Sequence, residues 1–116
     1  MNRIDGVRLR HMLAAAQEAM EFAAGQDRAA LDSNRMLVLA LVKDIEIIGE
    51  AASKVSQECQ NEHPQIPWHA IIGMRNHLIH AYFNIDLDQV WSTIQGDLHP
   101  LIAQLKAVIP TNGDEI

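Results

Sequence analysis

One stretch of the sequence is apolar around most of a helix: MLVLALVKDIEIIGEAA, residues 36–52. Its first seven residues are all apolar, and isoleucine and alanine return at helical spacing from residue 45 onward. A helix that is apolar on several sides must be covered on several sides, by its own bundle and by a second copy of the chain. Gly49, Ala51 and Ala52 are small enough to let a neighbouring helix cross closely.

Helix-start and helix-stop residues upstream of this stretch define its first neighbour. Asp5 is expected to cap a first helix, which ends at Gly25. The central helix then begins at Asp32 or Ser33 and continues without proline to about Glu58. Its expected length is about 39 Å at 1.5 Å per residue.

Proline and a capping signal predict two more helices downstream. Pro67 suits the first position of a helix that runs from Trp68 to about His80. Asp86 and the glutamine three residues later form a capping-box-like start for a fourth helix. Pro100 should kink this helix rather than divide the domain.

The composition is typical of packed helices. Hydrophobic residues make up 48% of the 116 residues, but aromatic residues only 4%. Alanine, leucine and isoleucine dominate, which favours helices over a sheet sandwich. We expect an all-α, antiparallel bundle of four to five helices that forms a homodimer, with one domain over residues 1–110 and a short flexible tail over residues 111–116.

Cysteine usage and hydropathy predict the compartment. Cys59 is the single cysteine, so no internal disulfide can form, as is usual in a reducing compartment. The longest apolar run, residues 36–42, is far shorter than the ~20 residues that a membrane span needs. No signal peptide is visible at the start of the sequence. We expect a cytoplasmic protein with no membrane partner.

Charge argues against one class of function and draws attention to one segment. A formal net charge of −6 and a pI of about 5.4 disfavour broad, sequence-indifferent binding to nucleic acid. Within residues 68–85, however, Arg75 is the only formal charge. With His69, His77 and His80 beside it, this segment is an island of potential positive charge in an acidic protein.

The stretch MRNHLIHAYF, residues 74–83, carries the residue types that act on a phosphodiester. The Arg75 guanidinium can hold a phosphate and stabilise the charge that develops on it. His80 can transfer protons near neutral pH, and Asn76 could orient His80 or the substrate. On a straight helix, Arg75 and His80 lie about 140° apart, whereas Asn76 and His80 share a face. This geometry favours a composite site in which Arg75 of one chain completes the site of the other.

The spacing Arg75-x4-His80-x-Tyr82 resembles the R-x4-6-H-x-Y signature of the HEPN superfamily, and in particular the HepT toxins of prokaryotic toxin–antitoxin systems. The resemblance extends over about residues 5–109. It includes four further segments in the expected order: Ile48–Ala52, Ile66–Trp68, Gly73–Asn76 and Val90–Trp91.

This resemblance implies a dimeric, type VII-like toxin that cuts RNA without a metal or a cofactor and leaves a 2′,3′-cyclic phosphate. Transfer RNA is the substrate class to test first. The implied partner is an MntA-like nucleotidyltransferase antitoxin, which attaches AMP to the motif tyrosine, here Tyr82. The added phosphate and bulk would fill the phosphate subsite and repel RNA.

Several alternatives stay open. His77 and Glu50 could support the site, although Glu50 could equally be a solvated helix carboxylate. His77 and His80 could instead bind zinc together with Cys59 and His63, but the spacing is loose. Arg75 could form a structural salt bridge. The competing functional class is a non-catalytic module that binds a nucleotide or docks the nucleotidyltransferase. Three further arginines could either guide RNA or simply form a solvent-exposed helix face: Arg3, Arg8 and Arg10.

Overall fold

The computed structural model describes residues 1–81 and 84–110, without the side chains of His77, Ile79, His80 and Ala81. The tail expected over residues 111–116 therefore lies outside the described residues. In chain order the elements are α1 (Arg3–Ala23), α2 (Ala30–Ser33), α3 (Arg35–Ser53), α4 (Gln57–Glu62), α5 (Trp68–Leu78), β1 (Ile79–Ala81), β2 (Asn84–Ile85), α6 (Leu87–Ser92), a π turn (Thr93–Asp97) and α7 (Leu98–Val108).

The predicted all-α bundle is confirmed, and α3 is its central helix. This helix packs against α1 on one side and α5 on another, while α7 packs against α1. Most of its apolar residues are buried within the single chain, and Met36 (82% exposed) and Leu39 (40%) are the large ones left open to solvent. The buried set on α3 includes Leu37, Val38, Leu41, Val42, Ile45 and Ile48.

The start of α1 differs from the prediction, because Asn2 and not Asp5 is the N-cap. The Asn2 side-chain oxygen accepts a hydrogen bond from the Asp5 N–H at 2.7 Å. Asp5 is buried, and its carboxylate accepts hydrogen bonds from the Ser56 N–H at 2.8 Å and the Ser56 hydroxyl at 2.6 Å. The helix ends at Ala23, two residues before Gly25, which has a positive φ of 75°.

The predicted long central helix is wrong in extent. Asn34 caps α3 by accepting from the Leu37 N–H at 3.1 Å, and the helix ends at Ser53, a length of about 28 Å. Residues 57–62 form a separate helix, α4, whose N-cap Ser56 accepts from the Cys59 N–H at 3.1 Å. The interruption follows from Asp5, which binds Ser56 and so holds the chain out of a continuous helix.

The third helix begins at Trp68 as predicted but ends at Leu78, before His80. Residues 79–81 instead form strand β1, which pairs antiparallel with β2. Ile79 pairs with Ile85 and Ala81 pairs with Asn84. One residue, His80, lies between the pairs on β1 and none on β2, so His80 is the extra residue of a bulge. The Asp86 N–H closes the hairpin by donating to the Leu78 carbonyl at 2.8 Å.

The predicted cap and proline in the fourth helix both have structural consequences. Asp86 caps α6, its carboxylate accepting from the Gln89 N–H at 3.0 Å. Helical structure continues through the π turn into α7, where the Leu98 N–H donates to the Thr93 carbonyl. Pro100 has no N–H to offer the carbonyl four residues earlier, so a change in hydrogen-bond pattern just before it is expected. Beyond this point α7 packs against α1.

Gly49 sets the closeness of α3 and α5. A Cβ atom at this position would lie 3.3 Å from the Ile71 carbonyl oxygen and 3.6 Å from that of Ile72. The backbones of the two helices therefore meet where only a small residue fits, as the sequence predicted for this segment. Nowhere in residues 1–81 and 84–110 is there a helix whose length and apolarity would suffice to cross a membrane.

Candidate functional site

A cleft of about 450 Å³ opens between α1, α3 and α5, and Arg75 lies in its wall. Residues from α3 recur there at intervals of three and four, which is one face of a helix. Arg8 and His11 contribute from α1 and Arg75 from α5. The wall residues from α3 and its C-cap are Lys43, Glu46, Ile47, Glu50, Ala51 and Lys54, of which Lys54 is the C-cap.

Arg75 faces a carboxylate that the sequence analysis did not single out. Its Nε lies 3.7 Å from Oε2 of Glu46, an ion pair longer than a hydrogen bond. The Arg75 side chain is 46% exposed and that of Glu46 only 19%. The sequence does carry a signal for Glu46, because it lies four residues before Glu50 and hence on the same helical face.

Glu50 lies in the same cleft wall, as one of the sequence interpretations required. Its carboxylate forms an ion pair with Lys54 at 3.1 Å, and the side chains of Glu50 and Lys54 are 68% and 50% exposed. An exposed pair of this kind, four residues apart on a helix, adds little stability.

The remaining motif residues are only partly described. Asn76 is exposed on α5 and does not line the cleft. The side chains of His77 and His80 and the whole of Tyr82 lie outside the described residues. The backbone nevertheless corrects one argument: α5 ends at Leu78, so neither the 140° separation of Arg75 and His80 nor the shared face of Asn76 and His80 applies. Bulges are frequent beside active sites in general.

The cleft is positive although the protein is negative. Four cationic side chains in its wall, Arg8, Lys43, Lys54 and Arg75, face two carboxylates, Glu46 and Glu50. This leaves a local charge of +2 in a chain whose formal charge is −6. A concave surface with a net positive charge attracts ions of the opposite sign, so the cleft favours anions.

Two of the residues considered as zinc ligands, Cys59 and His63, do not line the cleft that contains Arg75. Cys59 is buried beside Asp5 and Ser56, away from the Arg75 cleft, and burial raises the pKa of its thiol. A raised pKa disfavours the thiolate that zinc requires. His63 contributes its backbone, since its carbonyl accepts from the Trp68 indole N–H at 3.0 Å. Among the residues whose side chains are described, no group of three potential ligands comes together.

A second, smaller groove adjoins the cleft and holds a pair of carboxyl groups. It measures about 230 Å³ and shares His11 and Ile47 with the larger cleft. Asp44 is 1% exposed there, beside the exposed Glu18 on α1. Burial, followed by the hydrogen bond and charge of Glu18, raises the pKa of Asp44 to about 7. This carboxyl group is therefore largely protonated below neutral pH.

Comparison with known proteins identifies the family of this chain. Residues 12–108 match the HepT-like family, described as ribonuclease HepT-like. A Methanocaldococcus jannaschii protein named "Putative RNase MJ1380" is 31% identical over 97 residues, 84% of this chain and 89% of the relative. "Putative RNase TTE0752" of Caldanaerobacter subterraneus subsp. tengcongensis is 33% identical over 101 residues, 87% and 90% of the two chains.

A third relative, "Probable ribonuclease HepT" of Thermococcus cleftensis, is 40% identical over 62 residues, 53% of this chain and 56% of the relative. No solved structure matches the chain significantly. The family match covers more than three quarters of the 116 residues and includes the helix that carries Arg75. The chain therefore belongs to the HepT-like ribonuclease family.

Proposed function

We propose that this protein is a metal-independent endoribonuclease, the toxin of a type VII-like toxin–antitoxin system, acting in the cytoplasm. The observation that carries this proposal is the placement of Arg75 in a positive cleft, five residues before a bulged histidine. The three relatives are named as ribonucleases, which supports RNA as the substrate. Transfer RNA is the first substrate class to test.

The proposed reaction is an attack of the ribose 2′-hydroxyl on the adjacent phosphodiester, so that the phosphorus is transferred from the 5′-oxygen to the 2′-oxygen. His80 accepts the 2′-hydroxyl proton, the 2′-oxygen forms a bond to phosphorus, and the bond to the 5′-oxygen breaks. A protonated histidine donates a proton to the leaving 5′-oxygen, and the product end is a 2′,3′-cyclic phosphate. Arg75 stabilises the negative charge on the phosphorane, an effect commonly worth about 3 kcal/mol for one well-placed donor.

Glu46 would act on this step through Arg75. Its Oε2 lies 3.7 Å from Arg75 Nε, and this ion pair would help to orient the guanidinium. Arginine can bind phosphate oxygens through parallel N–H groups. Asn76, His77 and Glu50 are proposed as supporting residues, Asn76 from the exposed face of α5 and Glu50 from the cleft wall.

We further propose that the active form is a homodimer. A single motif supplies one His80, whereas the reaction needs both a proton acceptor and a proton donor. Two motifs facing each other would supply both histidines, and Arg75 of the partner subunit would complete each site. The exposed Met36 and Leu39 on the central helix are consistent with a further surface that a second copy could cover.

Regulation is proposed to act at Tyr82. An MntA-like nucleotidyltransferase would attach AMP to this tyrosine, two residues beyond His80 in the sequence. The added phosphate would compete for the same positive cleft that attracts RNA. Intact-mass measurement after co-expression with such an enzyme should show increments of one AMP, which disappear in Tyr82→Phe. Increments that persist in Tyr82→Phe would place the acceptor elsewhere.

The nuclease proposal is tested with purified protein and tRNA in the presence of EDTA. Wild-type protein should cut the RNA, and His80→Ala should reduce cutting at least 100-fold, as expected for loss of general acid–base catalysis. Equal cutting by both proteins would remove His80 from the mechanism. Loss of wild-type cutting on chelation, restored by zinc, would favour the metal alternative.

The second candidate function is a non-catalytic module that binds a nucleotide or docks the nucleotidyltransferase. The positive cleft favours it as well, because anion binding there needs no histidine. Growth distinguishes the two functions. A nuclease should be toxic when expressed alone, and Arg75→Ala should relieve the toxicity, whereas a binding module should leave growth unaffected.

A further inference from the structure

We propose that Arg8 and Lys43 form a second phosphate site, which binds an RNA backbone phosphate next to the one that is cut. This inference rests on the proposed nuclease function and adds a substrate-positioning element to it. The two residues lie on different helices, α1 and α3, in the wall of the cleft that contains Arg75. A phosphate between them would be held from two sides.

The pairing of charges in the cleft singles out these two cations. Arg75 faces Glu46 and Lys54 faces Glu50, so each of these cations already has a carboxylate near it. Among the ion pairs within residues 1–81 and 84–110, none involves Arg8 or Lys43. The net charge of +2 in the cleft is thus the charge of these two residues.

Arg8 carries an additional signal. Its Nε is shielded from solvent and has no hydrogen-bond partner. A buried donor without an acceptor is unfavourable, so a small movement of the guanidinium that brings this N–H to a phosphate in the cleft would be favourable. Arginine also binds phosphate through two parallel N–H groups, which gives the site a defined geometry.

The dimensions and lining of the cleft indicate what part of RNA it accepts. About 450 Å³ is in the range of sites that hold a nucleotide-sized ligand. His11 is the only ring-bearing residue among the described lining residues, so a platform for stacking bases is not formed by them. Contacts to phosphate position a nucleic acid without reading its sequence. The second site should therefore act equally on RNAs of different sequence.

The structure also provides matched controls on the same helix. Arg3, Arg8 and Arg10 are close together in the sequence, but the fold places them in different surroundings. Arg10 donates from Nη2 to the Pro110 carbonyl at 2.8 Å and lines a different groove. Arg3 is exposed at the start of α1 and does not line the cleft. Arg3→Gln therefore removes the same charge as Arg8→Gln without altering the proposed site.

The first measurement is binding of a 2′-deoxy octanucleotide, which contains no 2′-hydroxyl and cannot be cut by the proposed route. Arg8→Gln and Lys43→Gln should each raise Kd about 10-fold at low salt, and Arg8→Lys should recover part of the loss. Each Gln variant should also reduce the slope of log Kd against log salt concentration by about 0.7, the value for one phosphate contact in a single strand. Arg3→Gln should change neither quantity comparably. Melting temperatures confirm that all variants are folded.

The second measurement compares cleavage of an octanucleotide with that of a dinucleotide, which has one phosphate. The ratio of kcat/KM for the longer RNA to that for the shorter RNA should fall about 10-fold in Arg8→Gln, mainly through KM. An equal fall for both substrates, or an equal effect of Arg3→Gln on binding, would overturn the inference. If no protein cuts RNA but the two variants still bind weakly, the second site stands and the nuclease proposal fails. If wild-type protein cuts RNA and the variants bind normally, the reverse holds.

Discussion

Replacing Asp44 with Asn should stabilise the protein at alkaline pH and remove part of its pH dependence. The Asp44 carboxyl group is 1% exposed and lies beside Glu18, and burial followed by this neighbour raises its pKa from 3.8 to about 7. In the unfolded chain the group loses its proton near pH 4. Between these two values the folded state binds a proton that the unfolded state has already released.

The sign and size of the effect follow from this difference. Because the unfolded state binds fewer protons, the free energy of unfolding falls as pH rises from about 4 to about 7, and it is constant above that range. A shift of this size corresponds to at most about 4 kcal/mol, at about 1.36 kcal/mol per pKa unit. Glu18 is exposed and the pair borders an open groove, so screening by water reduces this to about 2 kcal/mol.

Urea unfolding at pH 4 and pH 8, at one protein concentration, measures the effect. The amide of Asn approximates the neutral carboxyl group, so Asp44→Asn should nearly match wild-type stability at pH 4 and exceed it by about 2 kcal/mol at pH 8. Glu18→Gln serves as the control, with a smaller gain, because it removes the neighbouring charge but not the burial. A loss of stability in Asp44→Asn that is equal at both pH values would refute this reasoning.

Three further changes test the fold and the site. Asp5→Ala should lower the free energy of unfolding by about 3 kcal/mol in urea titrations, because two hydrogen bonds to Ser56 are lost; a loss below 1 kcal/mol would contradict this role. Gly49→Val should destabilise the protein by about 2 kcal/mol, because its side chain meets the Ile71 carbonyl, whereas Gly49→Ala should be near neutral; equal melting temperatures for both would refute the close contact. Arg75→Lys should reduce kcat for tRNA cleavage about 100-fold, because a lysine lacks the planar fork; full activity would show that charge alone suffices.

Local signals were sufficient to predict much of the fold. The starts of α5 and α6 depend on Pro67 and on the Asp86 cap, which act within a few residues and are readable in the sequence. The end of α3 could not be predicted in this way. Its interruption depends on Asp5, which binds Ser56 from 51 positions away along the chain.

In the candidate site, too, local sequence features can be predicted and contacts between distant segments cannot. Arg75 could be identified from the motif, because its residue type and neighbours are unusual in an aliphatic chain. Glu46 could not be assigned to it, since their contact joins two helices whose crossing depends on Gly49. The apolar spacing of α5 continues through Ile79 and predicts that the helix does too. Pairing with Ile85, which depends on a chain reversal, converts that segment to a strand.

The hydrogen bond from the Asp86 N–H to the Leu78 carbonyl closes the base of the hairpin, where β1 leaves α5 and β2 meets α6. Leu78 is fully buried, and the Asp86 side chain caps the first turn of the next helix, so both ends of the hairpin are anchored in the bundle. Closing a loop whose ends are already anchored costs little more when a few residues are added. Inserting a few residues between β1 and β2 should therefore leave the melting temperature of the bundle nearly constant.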